Sequence, residues 1–180
     1  MSEYQFVEKP LLQQLASMGW QIIEHGRGIP QDPTQSLRTS FREVLLKNEF
    51  IEAVRDLNPM DGAYAENLSG TNSAKAVENS TWLTNAQCQQ LFEDFSYFDT
   101  TNLLEANQCF LQRLYKWQVD SNETTGEQDP VVTIIDFNNW QNNRFVAINQ
   151  FRIDTPGVEG NCIILDIVLF VNGLPLVVIE

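Results

Sequence analysis

The stretch that decides the fold is Asp166-Ile-Val-Leu-Phe-Val-Asn-Gly-Leu-Pro-Leu-Val-Val-Ile-Glu180. Two apolar runs flank Asn172-Gly173, a dipeptide that strongly predicts a tight turn between antiparallel strands. A carboxylate stands at each outer end of this hairpin. Because burying an unpaired carboxylate costs several kcal/mol, the two acids indicate an ion pair, a protonated carboxyl or a shared hard cation such as Mg²⁺.

Whether the two acids can share one cation depends on the register of the hairpin. Directly opposite residues of an antiparallel pair lie on the same face. A two-residue turn that pairs Val171 with Leu174 leaves Asp166 and Glu180 on opposite faces, whereas a three-residue loop or a β-bulge brings them to one face. A shared cation therefore predicts an odd loop or a bulge. The alternative is that both acids are strand-end residues that meet solvent or an arginine.

Outward from the hairpin, apolar periodicity divides the chain into a helical half and a strand half. Helical spacing predicts a first helix that starts near Lys9 after an entry turn, and a second helix, or two short ones, over residues 37–57. Thr84 is predicted to cap a helix, and a further helix is predicted from Leu103. Alternation then predicts four strands: Val131–Asp136, Phe145–Ile153, Cys162–Val171 and Leu174–Ile179. The sequence thus predicts an α+β fold, with N-terminal helices followed by a mostly antiparallel sheet.

Length and charge limit the class of protein. A chain of 180 residues with 43% hydrophobic content is long enough for one well-filled core, so we expect one domain over residues 1–180. The balance of 11 Lys+Arg against 24 Asp+Glu gives a net charge of −13. This is the wrong sign for a domain that binds DNA by electrostatics alone.

The stretch 58–81, rich in Asn, Ser, Ala and Gly, is expected to be an exposed loop and the best candidate for disorder.

Cysteine spacing and the N-terminus indicate the compartment. The three cysteines form no C-x-x-C pair, so we expect reduced thiols rather than a disulfide framework or a zinc site. The chain shows neither a basic leader with an apolar run nor a long uninterrupted apolar segment. A cytoplasmic protein is expected.

Other polar residues have less specific interpretations. His25 is the only histidine, and we expect a surface or packing role because no nucleophile accompanies it. Asp136, before Asn138-Asn139, is expected to form a turn or cap rather than to bind a ligand. Gln150 and Arg152 on one strand face either meet a DNA phosphate or form a solvated sheet face.

The hairpin and the preceding run Asn149-Gln-Phe-Arg152 resemble the nuclease domain of the R (restriction and motor) subunit of type I restriction enzymes, members of the PD-(D/E)xK nuclease superfamily. The family pattern is Pro-Asp, a hydrophobic strand ending in Asn-Gly-x-Pro, and then Glu-x-Lys. Further matches extend over most of the chain: Glu8 to Trp20 resembles the family's first helix, and the others are weaker. The resemblance implies a restriction-endonuclease-like core.

The same resemblance implies the residues of the active site. Asp166 would be the motif aspartate and Glu180 the motif glutamate, both binding Mg²⁺, and Glu8 would be an additional acid from the first helix. Such a site hydrolyses phosphodiester bonds of double-stranded DNA. The implied partners are the methyltransferase (M) and specificity (S) subunits of a type I complex, and the motor regions of the whole protein would use ATP.

Two departures from the family pattern shape the prediction. Leu165 stands in place of the usual proline, which binds no metal. The sequence also stops at Glu180, before the expected lysine. We therefore expect an incomplete endonuclease domain, truncated before its last helix and strand and inactive by itself, at the N-terminus of a longer motor polypeptide. The alternative is a non-catalytic, degenerate nuclease fold that docks partner subunits.

Overall fold

The computed structural model describes residues 4–60, 81–123, 125–158 and 160–180. These ranges contain the helices α1 (Lys9–Ser17), α2 (Lys47–Leu57), α3 (Asn85–Ser96) and α4 (Leu103–Lys116) and the strands β1 (Gln21–Ile23), β2 (Phe145–Asp154), β3 (Cys162–Val171) and β4 (Leu174–Ile179). The chain divides into two compact units, one of Met1–Phe50 with Arg144–Glu180 and one of Ile51–Asn143. Most of the loop predicted over 58–81 lies outside the described residues.

Helix α1 begins where the sequence predicts. A single π-helical turn, Tyr4–Glu8, precedes it, and Pro10 lies in its first turn, where a missing N–H breaks no intrahelical hydrogen bond. The helix stops before Gly19, whose φ of +93° is a left-handed conformation that glycine adopts without a Cβ penalty. The chain then enters β1 directly.

The strands form one sheet in the order β1-β2-β3-β4. Strand β1 pairs parallel with β2, whereas the β2–β3 and β3–β4 pairs are antiparallel. The predicted α+β class with a mostly antiparallel sheet is confirmed. The strand Gln21–Ile23 was not predicted, because so short a segment shows no alternation.

Both faces of this sheet are covered within the first unit. On one face Leu12 and Leu15 of α1 pack on Ala147 and Ile167. The neighbouring residues Val146 and Val168 point to the other face, where they join a second cluster whose further members are Leu46, Ile148, Phe151 and Phe170. The central strands β2 and β3 are therefore held from both sides, which fixes the backbone that carries Asp166.

The second helix starts later in the structure than the sequence predicts. The helix begins at Lys47, not near Leu37, because Leu37 has a left-handed φ of +58° that no helix interior accommodates. The following segment is organised by the buried side chain of Arg38, whose Nη1 donates to the carbonyls of Glu43 and Arg152, each at 2.9 Å. The apolar residues between positions 37 and 46 thus recur at helical spacing, although this segment does not form the predicted helix.

Residues 131–136 do not form the predicted strand. Val132 and Ile134 are buried, as alternation requires, but the backbone finds a side-chain partner instead of a strand. The Asn58 amide accepts from the Thr133 N–H at 2.8 Å and donates to the Thr133 carbonyl at 2.8 Å. The Asn58 amide therefore satisfies the backbone groups of Thr133 that a neighbouring strand would pair.

The helices of the second unit agree with the predicted boundaries. Thr84 caps α3 through a capping box with Gln87, which satisfies otherwise unpaired N–H groups, and α4 begins at Leu103 as predicted. Phe95 and Phe110 meet edge to face with ring centroids 5.5 Å apart. Across the described ranges no helix has both the length and the apolar character needed to span a bilayer.

Candidate metal centre

The turn of the hairpin contains two residues. Val171 pairs with Leu174, and the intervening Asn172 and Gly173 both have positive φ, +50° and +76°, as a type I′ turn requires. The turn is anchored to the start of β2. The Arg144 N–H donates to Asn172 Oδ1 at 2.7 Å, and the Asn172 N–H donates to the Arg144 carbonyl at 2.8 Å.

A β-bulge follows the turn and changes the register. Phe170 pairs with Pro175, but the next pair is Leu169 with Val177, so Leu176 is the extra residue. Proline has no N–H to donate, and bulges are among the few sheet positions that accept it. Beyond the bulge Ile167 pairs with Ile179, which is the last pair of the ladder. If this register continues by one residue past the end of β4, Glu180 lies opposite Asp166. The bulge that a shared cation requires is therefore present.

Asp166 and Glu180 carry the hard oxygen ligands that Mg²⁺ prefers. Asp166 is half-buried and Glu180 is exposed, and within the described ranges neither carboxylate has a side-chain hydrogen bond or ion pair to the protein. Mg²⁺ is commonly bound by one or two carboxylates, with water and substrate phosphate as its remaining ligands. Within the same ranges no three His, Cys, Asp or Glu side chains form a group that could hold a metal.

Gln150 occupies the place beside Asp166 on the other side of β3. Asn149 pairs with Ile167 and Phe151 pairs with Leu165, so Gln150 lies across from Asp166. Its φ of +51° is left-handed, which costs an L-residue roughly 1–2 kcal/mol. Strained backbone of this kind persists where the surrounding structure enforces it and clusters at functional sites.

Glu8 is buried and reaches β2 rather than the hairpin itself. Its side chain is 7% exposed, and its Oε2 accepts from Asn149 Nδ2 at 3.2 Å and from Gln150 Nε2 at 3.4 Å. Asn149 is fully buried and also donates to the Gly26 carbonyl at 3.0 Å and accepts from the His25 N–H at 2.7 Å. Asn149 thus joins Glu8 to the loop that follows β1.

Positive charge near this loop is buried. Burial lowers the pKa of Arg38 to about 10, although Glu43 and Asp154 act in the opposite direction. Burial also lowers the pKa of His25, and the charge of Arg38 adds to this effect. His25 Nε2 is buried and has no hydrogen-bond partner among the described residues. Its environment corresponds to the packing role expected for this histidine.

The remaining candidate residues have structural contacts. Asp136 Oδ1 accepts from the N–H groups of Asn138 and Asn139, both at 2.9 Å, which confirms the predicted turn role and holds the pKa of this carboxyl below its ordinary value. Arg152 Nε contacts Asp154 Oδ1 at 2.7 Å, and its guanidinium lies over the Phe41 ring. Arg152 is therefore paired with groups of the first unit, to which it belongs.

The sequence matches the family described as the type I restriction enzyme R protein N terminus over residues 1–180. The chain belongs to this family. It is 31% identical over 175 residues to the type I restriction enzyme HindI endonuclease subunit of Haemophilus influenzae, which covers 97% of the chain. It is 25% identical over 181 positions to the putative type I restriction enzyme MjaIXP endonuclease subunit of Methanocaldococcus jannaschii, which covers 100% of the chain. The chain spans only 14% and 15% of the length of these relatives.

Sequence reasoning missed the hydrogen bonds that Asn149 and Gln150 donate to Glu8. The signal was present as an Asn-Gln pair inside the apolar run of β2. A polar pair in a buried strand needs hydrogen-bond partners, and here the partners are supplied by Glu8 and by the loop after β1.

Proposed function

We propose that this domain is the Mg²⁺-dependent nuclease of a type I restriction R subunit and hydrolyses phosphodiester bonds of double-stranded DNA. The observation that carries the proposal is the Leu176 bulge, which aligns Asp166 with Glu180 despite a two-residue turn. Membership of the R-protein family and the names of the two relatives, both endonuclease subunits, support the same reaction class.

Asp166 and Glu180 would hold the metal, because hard oxygen ligands suit Mg²⁺. When bound, the ion supplies an activated water and stabilises charge on the phosphoryl oxygens. Asp166 lies within a central strand, so its position is rigid, whereas Glu180 is exposed directly after the edge strand β4, from which a phosphate can approach. Glu8 would add a negative charge that strengthens metal binding.

A lysine two positions after Glu180, as in the family's Glu-x-Lys, would share the face of Glu180 because side chains two apart on a strand point the same way. Its charge would orient the nucleophile or neutralise the developing charge. With a net charge of −13, the domain would depend on other regions to bring DNA to it. The proposed partners are the methyltransferase and specificity subunits and an ATP-driven motor in the same cytoplasmic protein.

The test is Mg²⁺-dependent cleavage by the full-length protein with its partner subunits and ATP. Asp166→Ala and Glu180→Ala are expected to reduce cleavage by on the order of a hundredfold or more, with ATP hydrolysis unchanged. Asp136→Ala is the matched control, since that carboxylate serves only a turn. Undiminished cutting by both hairpin variants would remove these residues from the active site.

A second candidate is a non-catalytic domain that docks partner subunits. It is favoured by the finding that, in the described part of the chain, no third acid joins Asp166 and Glu180 in one group. In that case the two alanine variants would cut normally, whereas deletion of the domain would abolish subunit assembly measured by size-exclusion chromatography.

A further inference from the structure

The second unit has an apolar surface around Tyr115 that is open to solvent. The Tyr115 ring stacks on the Phe137 ring, with centroids 5.1 Å apart and an angle of 15° between the ring planes. Tyr115 lines two open grooves, one of about 730 Å³ along the last turns of α4 and one of about 210 Å³ beside residues 131–138. Four apolar side chains of these grooves are each more than half exposed, and together we call them the Tyr115 surface: Leu111, Tyr115, Val131 and Phe137.

An acidic hairpin lies beside the Tyr115 surface. Gln118 pairs with Val131, and Ser121 pairs with Gln128, so this segment leaves the end of α4 and returns to the surface at Val131. Between residues 117 and 143 the sequence contains neither lysine nor arginine. It contains five acids, of which the first four are exposed: Asp120, Glu123, Glu127, Asp129 and Asp136. The Tyr115 surface therefore has an acidic border.

Positive charge near the grooves does not balance these acids. Arg113 lines the larger groove, but its guanidinium lies 4.7 Å from the centroid of the Phe98 ring and donates to the carbonyls of Asp94 and Tyr97. Lys116 is the other cation among the described residues of the two linings. A surface with this excess of negative charge repels nucleic acid and a second copy of itself. It complements a basic surface.

We propose that the Tyr115 surface docks a separate protein that has a basic surface. An apolar side chain of the partner would enter the grooves beside Tyr115, while its lysines or arginines face the acidic hairpin. Aromatic anchors within a polar rim are typical of protein interfaces. Charges at such a rim mainly accelerate diffusional encounter. This acceleration serves a partner that arrives from solution, whereas a region of the same polypeptide is already held at a high effective concentration.

The test is binding of a fluorescent peptide by the full-length protein, measured by anisotropy at low and high salt. The peptide is amphipathic, with leucines on one helical face and lysines on the other. Tyr115→Ala is expected to weaken binding at least about tenfold, whereas Tyr115→Phe, which keeps the stacked ring, should bind like the wild type. Glu123→Lys combined with Glu127→Lys should slow association and reduce the salt dependence. The control is Ile29→Ser, which removes an exposed apolar side chain of the first unit.

Four results would overturn the proposal. Absence of binding by the wild-type full-length protein would mean that other regions of the same polypeptide cover the surface. Equal binding by the wild type, Tyr115→Ala and the double lysine variant would place the peptide elsewhere. Displacement of the peptide by a single-stranded oligonucleotide would indicate a nucleic-acid site, and a wild-type dimer that Tyr115→Ala dissociates would indicate a second copy. Asp166→Ala should bind the peptide normally, so this test is independent of the proposed nuclease function.

Discussion

Ile167 lies opposite Ile179, although a two-residue turn without a bulge would pair Ile167 with Val178. The difference is caused by one extra residue, Leu176. Beyond it, each residue of β4 lies opposite a different residue of β3 than it would without the bulge. In this sequence a two-residue turn alone would leave Asp166 and Glu180 out of register, and the extra residue Leu176 compensates for that offset.

Deletion of Leu176 is expected to keep the two acids aligned. The pairs on either side, Phe170 with Pro175 and Leu169 with Val177, become consecutive in a regular ladder, and Leu176 is 41% exposed, so little burial is lost. DNA cleavage by the full-length protein should remain within about threefold of the wild type.

The matched change is insertion of one alanine after Val177, which moves Glu180 out of line. Cleavage should fall on the order of a hundredfold, the usual result of a displacement of about 1 Å or more at a reacting centre. A harmless insertion combined with a harmful deletion would contradict the register argument.

Gly173→Ala is expected to destabilise the first unit by about 2–5 kcal/mol. The residue combines a φ of +76° with a close approach, since an added Cβ would lie 2.6 Å from the Leu46 carbonyl oxygen and 2.7 Å from the Phe50 nitrogen. Urea unfolding monitored by fluorescence measures the loss. Gly157→Ala is the control, because it has a similar φ of +78° and nothing within 4 Å; its cost should be only about 1 kcal/mol. Equal costs would exclude a role for the close approach.

Asn58→Ala is expected to cost about 2–4 kcal/mol. The 4% exposed side chain bonds the Thr133 N–H and carbonyl and also donates to the Val54 carbonyl at 2.7 Å, so alanine leaves buried backbone groups unpaired. Thermal unfolding of the variant and of the control Asn142→Ala, an exposed amide bonded to Asp136, tests this. A loss no larger than that of the control would show that the Thr133 backbone finds other partners.

His25 is expected to make stability depend on pH below neutrality. Burial and Arg38 hold its folded-state pKa below the ordinary 6.5, so the unfolded chain binds the proton more readily. Stability is then complete above pH 6.5 and falls as the pH drops from there toward the lowered folded-state pKa. Urea midpoints at several pH values should show a smaller decrease for His25→Gln than for the wild type. Parallel pH profiles would show that His25 does not contribute.

Features with local signals were predictable from the sequence. Pro10 and Gly19 bound α1, Thr84 caps α3, and Asn172-Gly173 places the turn. In each case the responsible residues are neighbours in the chain, so their chemistry is readable without the fold. The class of the fold and the hairpin acids followed from such signals.

Features that depend on distant partners were not predictable. Strand β1 exists because Val146–Ile148 offers it an edge, and within residues 131–136 the backbone of Thr133 bonds the side chain of the distant Asn58 instead of a neighbouring strand. The roles of Asn149 and Gln150 likewise depend on Glu8, more than a hundred residues away. Even the bulge at Leu176 followed only as a condition of the metal hypothesis.

The parallel pairing of Gln21 with Val146 has a kinetic consequence. The β2-β3-β4 meander is contiguous in sequence and can form by rapid local closure, whereas β1 must close a loop of more than a hundred residues, which is slow and costly in chain entropy. Asp166 and Glu180 would therefore meet early in folding, and Glu8 would arrive last with α1 and β1. A nascent or partly refolded chain would have its two hairpin acids in place before the third carboxylate can reach Gln150.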